Sequence, residues 1–103
     1  MAEHHTLQAN AQTVAWGYWD AAREPVLKIN SGDRVTLHSI SGEPEDLPTD
    51  HSIVRPEQLE IHAHCKRGPG PHFLTGPIWV NNARPGDTLE VRILDIQLRD
   101  VWG

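Results

Sequence analysis

The chain is poor in the residues that staple a fold or cross a bilayer. Cys65 is the one cysteine in 103 residues, so no internal disulfide framework can form. A lone thiol fits a reducing compartment. No apolar run approaches the length of a membrane span. Met1 to Thr13 is polar and lacks the apolar core of a signal peptide. Basic residues number 9 against 14 acidic, a formal net charge of −5, and no basic stripe is present. That balance excludes the electrostatic footprint of a nucleic-acid binder. The expectation is a cytoplasmic protein with neither a membrane nor a nucleic-acid partner. Phe and Tyr occur once each, yet there are 4 Trp. Indole carries a large apolar area and one donor that needs a partner, which places some of these rings at an interface. The length suits one small domain, 1–103, with a modest core.

Helical periodicity is also scarce; no amphipathic helix longer than a turn or two is visible. Strand patterns dominate instead. Residues 1–12 show little apolar periodicity and read as a frayed terminus. Thr13 to Tyr18 is rich in β-branched and aromatic residues and predicts a strand, with Val14, Trp16 and Tyr18 on one face. Val26 to Ile29 predicts a second strand and Arg34 to Ile40 a third. Asn30-Ser31-Gly32-Asp33 supplies the turn between them. Residues 41–58, acidic and broken by Pro44, Pro48 and Pro56, form a long irregular loop with one helical turn near Pro56 to Leu59. Such a loop is functional, docked or disordered. Leu59 to Cys65 (LEIHAHC) alternates and predicts a strand. Pro77 to Val80 is a short strand, and Thr88 to Leu98 (TLEVRILDIQL) is the cleanest strand in the chain. Its apolar phase changes face near Ile93-Leu94, which implies a bulge or burial on both sides. Ser31-Gly32-Asp33 and Pro85-Gly86-Asp87 are echoes of one strand-launching turn. Together these patterns predict a mainly β protein, an antiparallel β-sandwich with little helix.

Lys66 to Pro77 (KRGPGPHFLTGP) stands apart. Half of it is Gly or Pro, which bars helix interior and central strand. Phe73-Leu74 can pin it to a core. His72 sits where proline restricts the backbone, so its imidazole can be preorganised. Thr75 adds a hydroxyl, and the amides near Thr75-Gly76 could form an anion nest or oxyanion donors. The bland reading of the same residues is a structural loop plugged by Phe73-Leu74. His62 and His64, two apart on a predicted strand, would face one side and could chelate one divalent ion; the competing reading is a solvated face. Cys65 could be a nucleophile beside His64 and His72, or a small buried apolar residue. A blue-copper centre would need an axial Met, and the one Met is Met1.

Four ordered blocks carry a resemblance. They are Thr13-Val14-Ala15-Trp16-Gly17-Tyr18; Pro25-Val26-Leu27 with Ser31-Gly32-Asp33-Arg34-Val35; Arg67-Gly68-Pro69-Gly70-Pro71-His72-Phe73-Leu74-Thr75-Gly76-Pro77-Ile78; and Pro85 to Ile96. In order and spacing this resembles the start of the acetamidase/formamidase family. The resemblance implies a jelly-roll-like sandwich and hydrolysis of short aliphatic amides to a carboxylic acid and ammonia. It also implies assistance by a divalent metal, zinc or calcium. It assigns His72 to the site as ligand or acid/base, with Thr75 and Gly76 lining the pocket; His62 and His64 stay secondary metal candidates, on their spacing and not on the resemblance. The family's acidic motif, Asp-x-His-Ala-x-x-Gly-Asp-Gly-Glu, is absent from this sequence. The expectation is therefore the N-terminal part of a larger amidase domain. The alternatives are a non-catalytic binding or assembly subunit, or one chain of a split two-chain amidase. The two-sided apolar strand Leu89 to Leu98 predicts a homo-oligomer or a second chain as partner.

Overall fold

The computed structural model describes residues 2–103. Strands outweigh helix, as the alternation predicted. The elements are β1 (His4–Leu7), β2 (Val14–Trp16), β3 (Leu27–Ile29), β4 (Arg34–Leu37), α1 (Pro56–His64), β5 (Phe73–Thr75) and β6 (Ile78–Val80). Single 3-10 turns at Pro44–Asp46 and His51–Ile53 lie in the long loop ahead of α1.

The strands form three two-stranded sheets. The pairings are β1 with β4, β2 with β5 and β3 with β6. Only β2–β5 is antiparallel; β1–β4 and β3–β6 are parallel, which corrects the expectation of antiparallel ladders throughout. A parallel pair needs a long crossover. Both parallel pairs have one, because each joins strands separated by other elements.

Three further expectations are corrected. Within the segment expected to fray, His4–Leu7 is ordered: β1 runs beside β4 in the register His4↔Arg34 to Leu7↔Leu37, and Leu7 is buried. Leu59 to Cys65 is not a strand: Leu59 to His64 lies in α1, and Cys65 is its extended C-cap. Pro56 occupies the first turn, where its missing N–H costs nothing, and Glu57 there complements the helix dipole. Gln58 and Ile61, three apart, are the buried pair. A short i, i+2 apolar alternation cannot be told from a helix stripe when only a few positions are buried. Thr88 to Leu98 belongs to no ladder. Its Leu89, Val91, Ile93, Leu94, Ile96 and Leu98 are all exposed. Alternation favours a strand only where a neighbour accepts its backbone bonds.

The core gathers Ala9, Val14, Ile40 and Ile61, with Cys65 and Phe73 against its edge. On β2 all three residues are buried, not alternate ones. Residues 88–98 lie outside this core, and the radius of gyration is 15.1 Å. A compact domain of this length would measure about 13 Å. The arm rejoins the body at its end. Arg55 Nε donates to Asp100 at 2.6 Å, and Arg99 Nη2 donates to the Ser39 carbonyl at 3.0 Å.

Candidate functional site

The Gly/Pro loop is zipped onto the backbone of β2. Gly68 N–H donates to the Trp16 carbonyl at 2.7 Å and Gly70 N–H to the Gly17 carbonyl at 2.9 Å. Gly17 N–H donates in return to the His72 carbonyl at 2.7 Å. Glycine is required here because the two backbones touch. A Cβ on Gly17, whose φ is +83°, would collide with the Gly70 carbonyl oxygen. The loop then becomes β5, in the register Trp16↔Phe73, Ala15↔Leu74 and Val14↔Thr75. Phe73 stacks on Trp16 with ring centroids 4.8 Å apart. The plug expected of Phe73 is therefore present, and it fixes the backbone on which His72 sits.

His72 is exposed on the rim of a cavity of about 210 Å³. Pro71 and Phe73 flank it, and Ile40, Ser41, Gly42, Glu43 and Asp46 form the rest of the lining. The wall opposite His72 is set by α1. Gln58, fully buried, donates through Nε2 to the Ser41 carbonyl at 2.7 Å and the Gly42 carbonyl at 3.2 Å. His62 Nε2–H donates to the Gly42 carbonyl at 3.0 Å. Burial pushes the His62 pKa down, against the opposing pull of that bond. The bond to the carbonyl places a proton on Nε2. The Trp102 ring closes over Gly42 from outside.

Arg67 orders the acidic side of the cavity. Its Nη1 donates to Glu45 Oε1 at 2.9 Å, and its Nη2 donates to Glu43. The guanidinium carbon lies 4.9 Å above the Trp16 ring. The hydrogen bond from Arg67 holds the Glu45 carboxyl below its ordinary range, and the same bond holds Arg67 above its own. Glu43 is thereby committed. The Asp46 carboxylate makes no hydrogen bond or ion pair among the described residues, so the cavity carries one uncommitted carboxylate and one exposed imidazole.

The other expected site residues divide. Thr75 Oγ1 donates to the His38 carbonyl at 2.8 Å. Gly76 N–H donates to the Thr13 carbonyl at 2.8 Å. Both donors are spent on the fold, so the oxyanion nest expected at Thr75-Gly76 is not offered there. His62 and His64 do not share a face, because two residues along a helix turn the side chain by about 200°. His62 points inward, its ring centroid 5.5 Å from both Trp16 and Phe73, while His64 is exposed. Cys65 is half-buried and donates to the Ala11 and Val14 carbonyls at 3.5 and 3.8 Å. Burial pushes its thiol pKa up, which makes it a poor nucleophile. Glu43 and Asp46 were not singled out by spacing. Their signal was the length and acidity of the 41–58 loop, a feature of functional or docked loops.

A metal at this cavity would need ligand atoms that converge. Among the described residues one group of three does so, Glu3, His5 and Asp33, and it lies on β1 and the turn before β4. The residues around His72 bring no such set together. The cavity as built does not fit a resident divalent ion.

The acetamidase/formamidase family model matches residues 4–103, essentially the whole chain. The chain belongs to the acetamidase/formamidase family. Comparison with curated proteins gives no match. Among the described residues, no helix is long and apolar enough to cross a membrane.

Proposed function

We propose that this chain supplies the His72 wall of an amide hydrolase site that converts formamide- or acetamide-type amides to a carboxylic acid and ammonia. The observation that carries the reading is the family match across the block that holds His72 on the rim of a polar cavity. In this reading, water attacks the amide carbon while neutral His72 accepts its proton. The C–N bond then breaks as protonated His72 delivers a proton to the departing nitrogen. The backbone amides of Gly42 and Glu43 donate to no acceptor among the described residues. They are better placed to meet a developing oxyanion than the occupied amide of Gly76. Metal assistance would draw on ligands beyond this cavity, and no step here is routed through a metal. The three small sheets are read as portions of the family's sandwich, in a cytoplasmic enzyme.

Ammonia release from formamide and acetamide tests the assignment. His72→Ala is expected to lower kcat by about 100-fold or more, the usual contribution of a positioned acid/base. An unchanged kcat would remove His72 from the chemistry.

The exposed apolar arm at 88–98 favours a second reading, in which the chain is an assembly subunit or one half of a two-chain amidase. No turnover by the purified chain, with turnover restored by a partner polypeptide, would select the two-chain form. No turnover under either condition would select the assembly subunit.

A further inference from the structure

A second cavity, of about 220 Å³, is lined by β2 residues and gathers basic side chains. Arg23, His64 and Lys66 line it together with Tyr18, Trp16 and Cys65, and no carboxylate is in its lining. This runs against the composition of a chain whose formal net charge is −5. Arg23 is half-buried and held rigidly. Its Nε donates to the Gly76 carbonyl at 3.3 Å and its Nη2 to the Val14 carbonyl at 3.1 Å. Those bonds fix the guanidinium and leave its charge uncompensated. Among the described residues no carboxylate lies within ion-pair distance of Arg23 or Lys66. Glu60 acts electrostatically on the Cys65 thiol from outside the lining. A partly buried charge without a counter-charge is costly, and an anion relieves that cost. The Trp16 indole N–H is also buried without a partner, and Trp16 lines the same cavity.

We infer that this cavity binds a short-chain carboxylate. Nη1 of Arg23 makes no hydrogen bond among the described residues and is left to donate to a carboxylate, and the Lys66 ammonium adds a second charge in the lining. The remaining lining is small and apolar: Ala11, Val14 and Ala15. That surface accommodates a methyl or hydrogen substituent on the carboxylate carbon. The inference does not depend on turnover. It concerns an equilibrium at a site apart from the His72 cavity, so its test stands whether or not the chain hydrolyses amides.

The experiment is an NMR titration of the purified chain with sodium acetate, at ionic strength held constant with sodium chloride. The readouts are the Arg23 Nε–H and Trp16 indole signals. Acetate is expected to shift both saturably, while acetamide, the neutral counterpart, leaves them in place. Lys66→Glu alters an exposed side chain with no hydrogen bond in the fold. It is expected to weaken acetate binding by at least about tenfold, the scale of one charge-assisted bond. Arg23→Gln is expected to abolish binding; because Arg23 also ties two carbonyls, Lys66→Glu is the variant that decides. The inference is overturned by any one of three results: no saturable shift, acetamide binding as well as acetate, or unchanged affinity in Lys66→Glu. Phosphate binding more tightly than acetate would overturn the choice of carboxylate.

Discussion

Asn30 to Leu37 and Arg84 to Val91 start alike and end differently. In the first, Asp33 N–H donates to the Asn30 carbonyl at 3.0 Å and Asp33 Oδ2 accepts from Asn30 N–H at 2.9 Å. In the second, Asp87 N–H donates to the Arg84 carbonyl at 3.0 Å and Asp87 Oδ2 accepts from Arg84 N–H at 2.9 Å. Gly32 and Gly86 take φ of +92° and +96°. The turns are the same object. After them, Arg34–Leu37 becomes β4 because β1 lies alongside, while residues 88–98 lie in the open. The turn is local chemistry; the strand is a property of two segments. The better amphipathic pattern lost to the poorer one because only the poorer one had a neighbour.

The comparison can be broken by removing the neighbour. Leu7, buried at the end of β1, should cost about 2 to 4 kcal/mol when cut to alanine, by lost burial and a residual cavity. Urea unfolding measures it, and amide exchange should show β4 losing its protection toward the unprotected behaviour of 89–98. The two glycines sharpen the contrast. Neither has a neighbour within 4 Å of an added Cβ, so alanine meets backbone strain alone. Gly32→Ala should lower global stability by about 1 to 2 kcal/mol, the cost of a left-handed non-glycine residue. Gly86→Ala should lower it by less, because the arm can relax without unfolding the body. Equal losses would mean that the arm is held as firmly as β4.

A narrower effect belongs to Asp33 in acid. N–H bonds from Glu3 and then Asn30, followed by the His5 bond, hold the Asp33 pKa at about 2, below its ordinary 3.8. A lowered folded-state pKa stabilises the fold above the ordinary value, and that contribution is lost as pH falls from 3.8 through about 2. The wild type should therefore lose stability across this window relative to Asp33→Asn, in paired unfolding curves. Parallel curves would show that Asp33 is not the group responsible. The smallest effect belongs to the arm. Leu89→Ala should change stability by no more than about 0.5 kcal/mol, since Leu89 is 75% exposed. A larger loss in the same assay would show that the arm docks in solution.

The candidate site was legible in part. The Gly/Pro block announced an ordered loop with a core plug, and Phe73 takes that place. The roles given to Thr75 and Gly76 were not readable, because their donors are consumed by His38 and Thr13, both remote in sequence. Leu59 to Cys65 misled for a different reason. Seven residues hold too few turns to separate a period of two from a stripe at 3.6. Asp46 carried no local mark; it reaches the cavity through a loop that α1 holds by Gln58 and His62.

Sequence alone determined the family blocks, the two x-Gly-Asp turns, the Gly/Pro character of Lys66–Pro77, and a predominance of strand over helix. These follow from backbone geometry within a few residues. Tertiary structure alone decided which strands found partners, that Leu59–His64 coils, that Glu43 and Asp46 face His72, and that Arg23 is left without a counter-charge. Those outcomes depend on which distant segments come to lie side by side. A hydrogen bond or an ion pair is satisfied by proximity in space, which local patterning does not encode.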